Sequence, residues 1–84
     1  MIERAAASVA PTTLPTPAYG PQPVEWFDPP RPVWAWVSWR DRPAERVACL
    51  ATGANDRVVV LEVACDGGHW APVVWRNAVT VRDR

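Results

Sequence analysis

Arg57-Val58-Val59-Val60-Leu61-Glu62-Val63-Ala64-Cys65-Asp66-Gly67-Gly68 is the run whose reading decides the fold. Its β-branched residues favour an extended strand, and Asp66-Gly67-Gly68 supplies the glycines that a tight hairpin turn requires. A lone carboxylate among apolar neighbours belongs in water. With Glu62 outside, side-chain alternation sends Val59, Leu61 and Val63 to a core and leaves Val58 and Val60 on the outer face.

The flanking segments have the same texture. Val33-Trp34-Ala35-Trp36-Val37-Ser38-Trp39 reads as a strand, and Arg40 to Glu45, with Pro43, reads as a polar loop. Arg46 to Thr52 is a second strand, closed by a turn over Gly53-Ala54-Asn55-Asp56. That turn pairs Thr52 with Arg57 and therefore Cys49 with Val60. After the Asp66-Gly67-Gly68 hairpin, His69 to Trp75 is a fourth strand, weakened by Pro72 toward an edge or bulge. Arg76-Asn77-Ala78 forms a short turn, and Val79-Thr80-Val81 is a brief fifth strand.

Five short strands with turns at intervals of eight to twelve residues indicate a small all-β barrel or sandwich. Residues 33–82, with the Trp75-Arg76-Asn77-Ala78 turn ahead of the last strand, resemble the SH3-like barrel superfamily and its Tudor and KOW-type modules. The resemblance rests on strand spacing and that turn, with no family-specific motif. It implies a five-stranded barrel with a ligand groove flanked by its first loops. An OB-type barrel also accommodates the alternation in the first strand.

Residues 1–32 differ from 33–84, holding eight of the ten prolines. Proline at this density removes ladder donors and favours polyproline II, so 1–32 is expected to form a proline-rich N-terminal arm, partly disordered or docked on the barrel. Trp26 and Phe27 are out of place in a free linker. The expectation is that Trp26 to Pro32 fold back over outward-facing indoles. A short amphipathic turn over Ile2 to Val9 is too small to stand alone.

Six tryptophans in 84 residues exceed what so small a core can hide, since a fold of this size buries only about 60% of its unfolded surface. In the first strand Val33, Ala35 and Val37 suit the interior of a tightly curled barrel. Trp34 and Trp36 then point outward, although the opposite choice would bury both rings. An apolar patch of that kind is rarely left bare. The candidate binding residues are accordingly Trp34, Trp36, Trp39 and Trp26, with Arg40 and Arg42 at the rim.

Composition narrows the function classes. Nine arginines, without any lysine, balance nine acids; with abundant Ala, Val and Pro this points to a GC-rich genome, such as an actinobacterium or one of its phages or plasmids. A nucleic-acid binder usually carries a basic excess, and residues 33–84 hold seven Arg against six acids. There is no apolar run long enough to span a membrane, and Met1 to Ala10 lacks a signal-peptide core, so the expected location is the cytoplasm. Cys49 and Cys65 fall about five residues out of register, too far for a disulfide, and are expected to be free thiols. Cys49, Cys65, His69 and Asp66 are a poor match to a zinc site, and a Cys65–His69 nucleophilic pair lacks a recognisable orienting residue. No catalytic residue, metal or cofactor is therefore assigned. The expected function is a non-catalytic module that binds a protein partner, as a monomer or weak dimer. A nucleic-acid-binding barrel is the alternative, and a thiol or metal activity at Cys65/His69 the third reading.

Overall fold

The structure, a computed structural model, describes residues 10–65 and 68–82. They form an all-β molecule of six antiparallel strands: β1 (Glu25–Trp39), β2 (Arg42–Ala54), β3 (Val58–Cys65), β4 (Gly68–Trp70), β5 (Val73–Trp75) and β6 (Val79–Val81). Single 3-10 turns lie at Thr16–Tyr19 and Arg76–Ala78. The strand order is β4-β3-β2-β1-β6, with β5 beside β4 on the same edge of β3. The chain thus runs as a meander, and its last strand returns to pair with the first. No helix among the described residues is long and apolar enough to cross a membrane.

Alternation builds the core as the sequence implies. Val33, Ala35, Val37 and Trp39 of β1 lie on one buried face with Val59, Leu61 and Val63 of β3, joined by Cys49, Ala51 and Ala54 of β2. Much of the interior is alanine and valine, with Cys49, Leu61 and Trp39 among them. Leu61 and Val37 are among the largest side chains fully enclosed, each contributing on the order of 1.5–3 kcal/mol by burial. Val58 departs from its expected place on the wet face, being 0% exposed. It lies outside the main cluster, and Asn55 and Arg57 immediately beside it carry the N-terminal segment described below. Val60 is half-buried.

Three strand boundaries differ from the sequence expectation, and proline explains two of them. β1 starts at Glu25, eight residues before Val33, so Trp26 to Pro32 belong to the strand and do not fold back over Trp34 and Trp36. Its prolines are tolerated because Phe27 to Pro30 bulge out of the ladder between the Trp26–Gly53 and Arg31–Ala51 pairs; the Asp28–Pro29 bond is cis. The expected fourth strand is two, β4 and β5, because Pro72 offers no N–H. Leu61 N–H donates to the Pro72 carbonyl at the break (2.9 Å), giving six strands rather than five. β2 begins at Arg42, with Pro43 within a second irregularity of the β1–β2 ladder. The β2–β3 register also differs: Gly53 and Ala54 pair with Val60 and Val59, across a bulge between Ala51 and Gly53. Cys49 is therefore not opposite Val60. On the far side of β3, Cys65 pairs with Gly68; Asp66 and Gly67 of the expected hairpin lie outside the described residues, as do Ile2 to Val9.

Residues 10–24 form a strap along the sheet. Thr12 N–H donates to Ser38 O (2.7 Å) and Leu14 N–H to Val73 O (2.9 Å), while the Thr13 hydroxyl accepts from Val73 N–H (2.7 Å). Pro11 bridges to Trp39 and is buried. Three consecutive strap residues thus satisfy backbone groups on both the β1 edge and the β5 edge. Further along, Asn55 pins the strap. Its Nδ2 donates to Tyr19 O (3.0 Å) and Gln22 O (2.9 Å), and its Oδ1 accepts from Arg57 N–H (2.8 Å) and Val58 N–H (2.9 Å). All four hydrogen-bonding sites of this buried amide are used. Gly20 sits against the Arg57 side chain at φ +76°, where a Cβ would come within 2.8 Å of Nε.

Candidate functional site

The strap creates the main aromatic surface. Where Thr12, Thr13 and Leu14 run beside Ser38 and Val73, they line a groove of about 320 Å³ together with Trp36 and Trp75. Trp36 is 53% exposed and Trp75 48% exposed. Each indole is therefore anchored on one side and available on the other. Trp36 reaches the surface because it alternates with buried Ala35 and Val37. Trp75 reaches it at the end of β5, just before the turn that contributes Ala78 to the same groove.

The expected site residues do not assemble into one patch. Trp34 and Trp36 point away from the core as expected, but Trp34 is half-buried with guanidinium neighbours, Arg46 at 4.9 Å and Arg82 at 5.9 Å from the ring centre. Trp39 is 5% exposed and belongs to the core, because it shares the parity of Val33, Ala35 and Val37. Arg42 stacks over its ring at 4.3 Å, and its Nε lies 4.0 Å from Asp41 Oδ1. Arg40 is exposed in the two-residue β1–β2 connection. Trp26 lies toward the other end of β1, 66% exposed, with its ring over Gly53; a Cβ there would fall 2.6 Å from Trp26 Cε3. The bare glycine opposite makes room for that indole.

The residues that sequence reasoning missed are Trp75, Thr13 and Asn55. The turn chemistry around Asn55 was a visible signal, but its use as a buried clasp depends on two carbonyls more than thirty residues earlier.

The thiol and metal candidates are separated. Cys49 is free and buried. Burial pushes its pKa up, and the Arg82 guanidinium partly opposes that shift. His69 is exposed, with Nδ1 4.0 Å from Glu62 Oε2. The Cys65 side chain and Asp66 lie outside the described residues, and among those described no three His, Cys, Asp or Glu side chains converge in a metal-holding group. Arg82 ties strands together. Its Nε and Nη2 donate to the Val33 and Cys49 carbonyls (3.2 and 3.1 Å), binding β6 across β1 to β2.

Comparison with known proteins gives no match to a family model, to a curated protein or to a solved structure.

Proposed function

We propose that this chain is a non-catalytic SH3-like barrel that binds an extended, proline-containing segment of a protein partner between Trp36 and Trp75. The barrel reading is supported by the meander order, by β6 returning to β1, and by the single 3-10 turn just ahead of β6. The observation that carries the binding reading is the groove itself: two half-exposed indoles at its lips and an apolar wall from Leu14, Val73 and Val74. Aromatic-lined grooves read polyproline segments because those segments are extended before they bind and lose little entropy. The nucleic-acid alternative has less support, since Trp34 already has two guanidinium neighbours and residues 33–84 carry seven Arg against six acids.

The test is an array of proline-containing decapeptides, followed by titration of the selected peptides against indole fluorescence. The double substitution Trp36→Ala/Trp75→Ala is expected to weaken binding by about 30-fold or more, the loss typical of central aromatic anchors. Binding that survives the double substitution, or an array without a single binder, overturns the reading. An oligothymidine that binds with a steep salt dependence would replace it with the nucleic-acid reading.

A further inference from the structure

A second cavity lies between the bulged part of β1 and β6, and it shares no lining residue with the indole groove. Its volume is about 380 Å³, within the range of small-molecule sites, for which barrel mouths are a recurrent location. Its floor is the core itself, formed by Val33, Ala51 and Val59, each no more than 5% exposed. Phe27 and Val79 form walls that pack on that core, and the largely exposed Val81 continues the apolar surface outward.

Three cations line this apolar cavity: Arg31, Arg76 and Arg82. Among the described residues no carboxylate lines it, and each guanidinium is held by contacts other than a carboxylate. Arg31 stacks over Phe27 at 4.0 Å, Arg76 Nη1 donates to Asn55 O (2.7 Å), and Arg82 donates to two carbonyls. A guanidinium has five N–H donors, so Arg76 and Arg82 retain uncommitted ones after these bonds. Positive charge fixed over a low-dielectric wall focuses its field on whatever enters. The cations are pre-positioned by contacts that do not cancel their charge.

We infer that this cavity binds a small apolar carboxylate, a medium-chain or aryl acid, with its hydrocarbon on Val33, Ala51 and Val59 and its carboxylate among Arg31, Arg76 and Arg82. The complementarity is double. Hydrocarbon alone would leave three cations without a counter-ion, and a bare anion would leave the apolar floor wet. Charge-assisted pairs between guanidinium and carboxylate are the stronger class of hydrogen bond, and the fork geometry of arginine suits a carboxylate. This site goes beyond the peptide-binding reading and stands or falls independently of it.

The experiment titrates octanoate and, as its neutral counterpart, octanamide into the full chain, following valine methyl and indole N–H signals by NMR. Octanoate is expected to shift the Val33, Val59 and Val79 methyls, to leave the Trp36 and Trp75 indoles unmoved, and to bind at least about tenfold tighter than octanamide, the scale of one charge-assisted hydrogen bond. In Arg31→Gln/Arg76→Gln, whose native side chains are both exposed, that preference should fall to about twofold with octanamide affinity unchanged. The comparison of the two ligands on the unsubstituted protein needs no variant to fold. Equal affinities, shifts at the indoles in place of the valines, or no methyl shift at concentrations on the order of 10 mM would each overturn the assignment.

Discussion

The two cavities are built by opposite means. The indole groove exists because an added segment, Thr12 to Leu14, is tied by backbone bonds between two sheet edges; its lining is uncharged and its aromatic lips stand in solvent. The arginine-bearing cavity lies between β1 and β6, floored by core residues, and no strap residue lines it. They meet only at the Arg76–Ala78 turn, which sends Arg76 to one and Ala78 to the other. One site is therefore conditional on a docked segment and the other on core packing. A perturbation confined to the strap should separate them.

Asn55→Ala gives the largest separation. It removes four hydrogen bonds from a buried side chain and strands the Tyr19 and Gln22 carbonyls. At about 1 kcal/mol net for each of the four bonds, chemical denaturation should show a loss of about 4 kcal/mol. Amide exchange should rise first in residues 11–24, with Trp36 more readily quenched, while the Val33 methyls, in β1 and away from the lost bonds, keep their native shifts. Equal exposure of both regions would mean the cavities are not separable. Thr13→Val is the milder cut. It removes the acceptor for Val73 N–H and should cost about 1 kcal/mol, loosening the wall of the indole groove and leaving the arginine cavity as it is.

Cys49 sharpens the other side of the comparison with the smallest effect. Its raised pKa means that the folded state holds the thiol proton more tightly than the unfolded chain does. That contribution is complete below the ordinary thiol pKa of about 8.5 and is lost as pH climbs through the higher folded value. Stability measured by urea titration should therefore decline above about pH 9, and Cys49→Ala should flatten that decline. A pH dependence unchanged in the variant would place its origin elsewhere.

The inner faces of β1 and β3 were legible in the sequence because alternation needs little to set it, Glu62 in one strand and the small residues Val33, Ala35 and Val37 in the other. The same parity buries Trp39, so its nomination as a contact residue ran against the pattern that correctly turned Trp36 outward. The start of β1 was hidden by its prolines, which are compatible with a strand only because Phe27 to Pro30 leave the ladder. That the arm could dock was legible from its aromatics, but the path of the strap was not, since its bonds join residues far apart in sequence and no local pattern encodes them. Of the candidate site, the role of Trp36 could be read in advance, whereas that of Trp75 depends on where the strap passes.

Thr13 and Val73 are sixty residues apart, and the earlier of the two leaves the ribosome first. Until Val73 has been synthesised, the N-terminal segment has only half of its docking site, and the β1 backbone at Ser38 waits beside an unfinished wall. Open strand backbone of this kind invites pairing with other chains. The closing stitch of this molecule is thus made only once Val73 has been synthesised, by a segment made sixty residues before it.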